Sequence, residues 1–194
     1  MSTLYHCLTM QGLAAFVDRD GVINYDPGNF YKIEELRILP RVAKAINLLN
    51  THNVTVIVVS NQSVIARGLI TEAGVDRINA KIAKILEKDN AQIAKFYYCP
   101  HHPDADIIKY RKVCNCRKPK TALFKKAAKE FNLDIKKSYV IGDSFRDIEA
   151  AKNLGCKSIA VGCGSSDFRN SKPDYKVKDL YEAAKLIVSQ LNQI

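Results

Sequence analysis

Two aspartates two residues apart, Asp18 and Asp20, leave the apolar run Leu13–Val17 and lead into Gly21. A carboxylate can attack an electrophile, move a proton or hold a hard cation. At the end of a strand, residues i and i+2 point the same way, so the two carboxylates are expected to share one site. Carboxylates that close repel unless a cation or a proton lies between them, which makes the pair a metal site or a site with one raised pKa. Gly21 lets the chain turn close to a ligand. Taken alone, the pattern D-x-D-G also fits a strand running out into a solvated turn, because short motifs match by chance. Two further apolar runs end in polar residues: 54–59 in Ser60, and 139–141 in Asp143 after Gly142. Open parallel sheets bind ligands at the carboxyl edge of their strands, so these endings are what a single site requires. Oxygen ligands from Asp18 and Asp143 suit Mg²⁺, which takes few carboxylates and a substrate phosphate.

The elements that must position these residues are legible as apolar runs alternating with segments of helical period, the pattern of βαβ units. Strands are expected over residues 13–17, 54–59, 94–98, 139–141 and 157–161. Pro40 suits the first residue of a helix with Val42, Ile46 and Leu49 inward. Thr71 can cap a helix carrying Val75, Ile78, Ile82 and Ile85, and Thr121 one carrying Phe124, Ala127 or Ala128, and Phe131. Residues 147–154 form a short helix stopped by Gly155. Asp179, with Glu182 three residues on, opens a last helix with Leu180, Ala184, Ile187, Leu191 and Ile194 on one face. At 194 residues the chain suits one domain over 1–194. No insertion between the first three strands is long enough to be a cap domain.

Cys99, His101, Cys114 and Cys116 make a Cys₃His set spaced C-x-H-x₁₂-C-x-C, the composition of a closed tetrahedral Zn²⁺ site within a loop over 99–116. His102 is the other candidate for the nitrogen ligand. Cys7, Cys156 and Cys163 have no such company and read as plain thiols; His6 and His52, without partners, read as surface residues. The chain carries 30 Lys and Arg against 20 Asp and Glu, a net charge of +10, which favours an anionic partner. Residues 109–129 hold nine Lys or Arg and no acid. Charge runs are usually solvated faces, and no aromatic-interleaved basic stripe is present for stacking bases, so no nucleic acid is expected. No apolar run reaches the roughly 18 residues that span a bilayer, and residues 1–12 lack a signal peptide's basic start and long apolar stretch. A cytoplasmic protein with no membrane partner is the expectation.

Asp18-Arg19-Asp20-Gly21, Ser60-Asn61-Gln62, Lys118, and Gly142-Asp143 with Asp147 resemble the haloacid dehalogenase-like phosphatases, over most of the chain. The resemblance implies an α/β fold: a parallel-sheet, Rossmann-like three-layer sandwich, here without a large cap and with a zinc-bound loop. It implies that Asp18 is a nucleophile forming an aspartyl phosphate. Asp20 would first protonate the leaving oxygen and then activate water; Ser60 and Lys118 would hold the transferring phosphoryl group. Asp18, Asp20 and Asp143 are the expected Mg²⁺ set. Elementary chemistry supports these roles, since a phosphate monoester is inert and its phosphoryl group needs positioning and positive charge. A sugar alkoxide also leaves poorly without a proton. Asp147 reads as an acid complementing a helix dipole.

A narrower resemblance runs through Ser60-Asn61-Gln62-Ser63-Val64-Ile65-Ala66-Arg67-Gly68, Cys99-Pro100-His101-His102-Pro103 and Cys114-Asn115-Cys116-Arg117-Lys118-Pro119. This pattern is similar to the heptose bisphosphate phosphatases and favours His101 as the zinc ligand. The implied substrate is a small sugar bisphosphate, met by Asp26, Gly28 and Asn29 and by Asn61, Gln62, Ser63 and Arg117, on a monomeric enzyme. Ser60 stands where threonine is usual and keeps the hydroxyl. Val64 stands where glycine is usual and cannot easily adopt a positive φ, so the loop is expected to differ in shape there. Ser144 stands where a lysine often follows, which removes one phosphate contact. Histidinol-phosphate phosphatases share Cys-x-Cys-Arg-Lys-Pro but lack Ile-Ala-Arg-Gly. Polynucleotide 3′-phosphatases share the aspartate chemistry. A non-catalytic zinc module has no need of Asp18, Asp20, Ser60, Lys118 and Asp143 together.

Overall fold

The structure, a computed structural model, describes residues 12–162, 168 and 171–192. The expectations for residues 1–11, His6, Cys7, Cys163 and Ile194 lie outside the described residues. The elements in chain order are β1 (Leu13–Val17), α1 (Val42–Thr51), β2 (Val54–Asn61), α2 (Ser63–Ala66), α3 (Glu72–Glu87), β3 (Lys95–Cys99), α4 (Ala122–Glu130), β4 (Tyr139–Gly142), α5 (Phe145–Leu154), β5 (Lys157–Val161), β6 (Tyr175–Val177) and α6 (Leu180–Leu191). All six strands are parallel, in the order β3-β2-β1-β4-β5-β6. The order runs outward in one direction from β1 to β3 and in the other from β4 to β6. The crevice between the carboxyl ends of β1 and β4 is therefore the switch point at which such sheets bind ligands.

Strands β1, β2, β4 and β5 are buried on both faces, which is why they read as near-continuous apolar runs. Ala15 and Val17 of β1 and Val56 and Val58 of β2 pack with α1, α3 and α6. Ala14 and Phe16 of β1 and Ile57 and Val59 of β2 pack with α4 and α5. Phe16 meets Phe124 edge to face, with ring centroids 5.4 Å apart. The segments joining β1 to β2 and β2 to β3 hold only α1, α2, α3 and a 3₁₀ turn over Ile33–Glu35, with no cap-sized insertion.

Several boundaries differ from the sequence reading. Helix α1 begins at Val42, because Arg41 is its N-cap in the left-handed region (φ 64°) and Pro40 precedes it. That uncommon conformation is compensated by Arg41 reaching Asp179 and Glu182 of the α6 terminus and stacking on Tyr181. Asp179 caps α6 through the N–H groups of Tyr181 and Glu182. Thr71 caps α3 through the N–H of Gly74, whereas the Thr121 side chain makes no capping bond. Leu86, rather than Ile85, completes the buried face of α3. Exposed His52 does have a partner, the Leu48 carbonyl. The edge strand β6 and the one-turn helix α2 were not anticipated: three and four residues are too short to show a period. No helix among the described residues is long and apolar enough to cross a membrane.

Candidate active site

Asp18 is the first residue past β1, and its N–H donates to the Ile141 carbonyl of β4 (2.9 Å), which pins it at the switch point. Its carboxylate lies 2.9 Å from Lys118 Nζ. The same ammonium meets Asp147 Oδ1 at 2.6 Å and the Val59 carbonyl at 2.8 Å. Asp18, Asp143 and Asp147 each present an oxygen within 4.8 Å of the others. Gly21 and Gly142 make this crowding possible: a Cβ at Gly21, which has φ +80°, would run into Asp143 Oδ2, and one at Gly142 into the Asp147 carboxyl group.

Three carboxylates around one ammonium leave an excess of negative charge. Burial pushes Asp18 up to about 8, with Asp147 and Asp143 adding to the shift and Lys118 opposing it. Burial, then Asp147, pushes Asp143 up to about 6. Burial works against the charged form of Lys118, yet Asp147 and Asp18 outweigh it and hold its pKa above the ordinary lysine value. An oxygen-only donor set with uncompensated negative charge is what a hard divalent cation relieves, so the residues fit Mg²⁺.

The side chain of Asp20 does not join this group, contrary to the expectation that Asp18 and Asp20 share one metal site. Period-two geometry ends with the strand at Val17, and Asp20 lies in a turn closed by a bridge to Asn24. Its carboxylate accepts from Arg19 Nε and Nη2 (3.0 Å each), Asn24 Nδ2 (3.0 Å) and Gln62 Nε2 (2.7 Å). Asp147 was undervalued: it is 1% exposed, pairs with Lys118 and accepts from Ser144 Oγ at 2.8 Å.

Asn61 and Gln62, expected to meet substrate, are engaged within the protein. Asn61 exchanges two hydrogen bonds with the main chain of Lys118 (3.1 and 2.9 Å) and so places that lysine. Buried Gln62 donates to Asp20 and to Ser60 Oγ (3.2 Å) and accepts from Arg19 (2.9 Å). Asp26, Gly28 and Asn29 sit on an exposed loop, tied by the Gly28 N–H donating to Asp26. Arg67 Nη1 bridges that loop to the segment after α2 by donating to Asn29 Oδ1 (2.6 Å). Ser63 is the half-buried first residue of α2. Val64 is helical and buried within α2, so its lack of a Cβ-free backbone is immaterial, and Gly68 takes the positive φ.

Arg117 donates to the His101 carbonyl (3.1 Å). Burial lowers its pKa, the nearby Cys99 and Cys114 thiols oppose this, and the Arg146 and Arg67 guanidiniums lower it further. The same three arginines, after burial, hold His102 below the ordinary histidine value, with Asp104 opposing. Arg67 and Arg146 thus act on both Arg117 and His102, so the three guanidiniums share one electrostatic neighbourhood, in which Arg117 and Arg146 directly adjoin Lys118 and Asp147 in sequence. Neither Arg67 nor Arg146 was singled out from the sequence, since the sequence shows no contact between them.

Cys99, His101, Cys114 and Cys116 come together as expected. The three sulfurs are 3.1, 3.2 and 3.5 Å apart, and His101 Nδ1 lies 3.2 Å from Cys116 and 3.7 Å from Cys99. Tetrahedral zinc, with Zn–S near 2.3 Å, implies edges of about 3.8 Å, so the set has the chemistry for Zn²⁺ and would open by a few tenths of an ångström to hold it. His102 lies apart, its Nδ1 accepting from the Asp104 N–H.

Residues 115–183 match the HAD-hydrolase-like family. The chain is similar to the D-glycero-beta-D-manno-heptose-1,7-bisphosphate 7-phosphatase of Rhodopseudomonas palustris, with 40% identity over 142 residues covering 73% of this chain and 79% of that protein. Against the protein of the same name from Photorhabdus laumondii, identity is 34% over 184 residues, covering 93% of each. Among solved structures, the D,D-heptose 1,7-bisphosphate phosphatase from B. bronchiseptica, complexed with magnesium and phosphate, aligns with a TM-score of 0.80 and 30% identity, covering 92% of this chain and 99% of that one.

Proposed function

The chain belongs to the haloacid dehalogenase-like hydrolases and, within them, to the D-glycero-β-D-manno-heptose-1,7-bisphosphate 7-phosphatase family, and from that premise we propose that it removes the 7-phosphate of the β-anomer through an aspartyl phosphate on Asp18. The observation that carries this reading is the partly exposed Asp18 carboxylate at the β1/β4 crevice, joined to the buried Lys118–Asp147 pair.

An Asp18 carboxylate oxygen attacks phosphorus in line, forming the acyl phosphate as the bond to the sugar oxygen breaks. Asp20, protonated as its hydrogen bond from Asn24 or Gln62 gives way, passes that proton to the oxygen, so the alcohol departs neutral. Asp20, now ionised, takes a proton from water, whose oxygen attacks phosphorus. The bond to Asp18 breaks, and inorganic phosphate leaves. Lys118 and the Ser60 hydroxyl face the phosphoryl oxygens, where fixed positive charge counts most. Mg²⁺, held by Asp18 and Asp143 with Asp147 beside them, supplies further charge neutralisation when bound. Arg117, with Arg67 and Arg146, takes the phosphate at the other end of the sugar. Cys99, His101, Cys114 and Cys116 would hold Zn²⁺, which would stiffen the loop that carries Arg117 and Lys118. One domain over 1–194 accommodates all of this, and a cytoplasmic location suits cysteines assigned to metal rather than to disulfides.

The test is phosphate release from both heptose bisphosphate anomers, histidinol phosphate and a 3′-phosphorylated oligonucleotide, each with and without Mg²⁺. The β bisphosphate should be turned over fastest, only with Mg²⁺, and Asp18→Asn should abolish it while the protein stays folded. Preference for histidinol phosphate or the oligonucleotide would replace the substrate assignment, and an active Asp18→Asn would sink the mechanism.

A further inference from the structure

Arg19 is 0% exposed and ranks among the largest fully buried side chains, yet no step above uses it. A buried guanidinium is tolerable only where its donors are matched. Nε and Nη2 grip the two oxygens of Asp20 at 3.0 Å, Nη2 also donates to Gln62 Oε1 at 2.9 Å, and Nη1 donates to Asn79 Oδ1 at 3.0 Å. Phe30 lies against it, with the guanidinium carbon 5.9 Å from the ring centroid. Asn79 belongs to α3, sixty positions away in sequence, and is itself only 6% exposed.

Stability does not account for this arrangement. Replacing a buried ion pair by apolar side chains of similar volume is commonly neutral or stabilising. What a guanidinium fork does and an apolar side chain cannot is fix the plane of a carboxylate, because two parallel hydrogen bonds remove its rotation. The fork is fixed in turn only if its own far edge is held, and Asn79 holds it. We propose that Arg19 and Asn79 form a positioning unit, anchored on α3, that sets the orientation of the Asp20 carboxylate for proton transfer to the leaving oxygen. This rests on the assignment of Asp20 as the acid. Asn24, which is fully buried, donates to the same carboxylate although its own Oδ1 has no partner. An unmatched buried acceptor is tolerated there in favour of one more bond to Asp20.

A unit that acts through proton transfer matters in proportion to how badly the leaving group needs a proton. The experiment compares kcat and KM of Asn79→Ala and Asn79→Asp on heptose 1,7-bisphosphate and on p-nitrophenyl phosphate, at saturating Mg²⁺ and well below each variant's Tm. Asn79→Ala should lower kcat on the sugar phosphate by roughly ten- to a hundredfold, as loss of an outer supporting contact does, and leave KM and the aryl phosphate within about threefold. Asn79→Asp keeps an acceptor at the same place and should recover most of the loss. Arg19→Lys, which keeps the charge but not the fork, should show the same discrimination between leaving groups and serves if Asn79→Ala does not fold. Equal losses on both substrates, no loss on either, or no recovery in Asn79→Asp overturns the proposal. Asp20→Asn run alongside separates the two levels. If it too fails to discriminate between the substrates, the assignment of Asp20 is wrong; if it discriminates and the Asn79 variants do not, only the positioning unit is wrong.

Discussion

Arg117 and Lys118 are neighbours in sequence with different surroundings. Lys118 is 3% exposed and locked between Asp18 and Asp147, whereas Arg117 is only partly buried and shares its region with Arg67 and Arg146. On the proposed mechanism the first serves the reacting phosphate and the second the remote one. Losing a charge-assisted hydrogen bond of about 1.5 to 3 kcal/mol corresponds to roughly ten- to a hundredfold in kcat/KM. Arg117→Ala should lose that much on heptose 1,7-bisphosphate and change little on a monophosphate, which has nothing to place there. Equal losses on the two substrates would assign Arg117 to the reacting phosphate instead. Ser144, which removes a lysine from one flank, is followed two residues on by Arg146, so positive charge persists at the start of α5.

At the scale of elements, the loop between β3 and α4 has little regular structure, only a short 3₁₀ turn over Ile108–Tyr110. The four residues at its base draw its two ends together, and the Ile107 N–H to Ala66 carbonyl and Tyr110 to Glu72 hydrogen bonds tie its middle to α2 and α3. Binding at such a site is part of the folding free energy. Cys114→Ser should lower Tm and solubility and reduce kcat through displacement of Arg117 and Lys118, whereas a mild Mg²⁺ chelator should stop turnover reversibly with Tm nearly unchanged. Elemental analysis of protein made with zinc available should find about one zinc per chain; none would remove the metal from the account. This loop was legible in advance because Cys and His at short spacing declare themselves locally. The strands were legible for the same reason, as doubly buried runs with no polar interruption. What the sequence withheld was non-local. Arg19 lies between two acids and nothing in the sequence marks it as buried; only the fold brings Asn79 and Gln62 to it. Asp147 looked like a helix-end acid because nothing near it in sequence announces Lys118, twenty-nine positions back.

For the whole molecule, the strand order explains why residues as distant as Asp18 and Asp143 meet: β1 and β4 are adjacent although two other strands intervene in sequence. Arg67 at the end of α2, Arg117 in the loop before α4 and Arg146 in the first turn of α5 act on one another electrostatically, in a chain whose net charge is +10. A substrate with two phosphates should feel that field before contact. Screening shortens its reach from about 10 Å at 0.1 M salt to a few ångströms at 1 M. Raising NaCl from about 50 to 500 mM at saturating Mg²⁺ should therefore lower kcat/KM for the bisphosphate by roughly threefold to tenfold. The effect should fall on KM, since kcat reports steps at Asp18 and Lys118 after the phosphate is seated. A monophosphate should respond less, in proportion to its smaller charge. If kcat/KM is flat with salt for the bisphosphate, the basic edge is an ordinary solvated face, and recognition of the second phosphate is a matter of short-range contact alone.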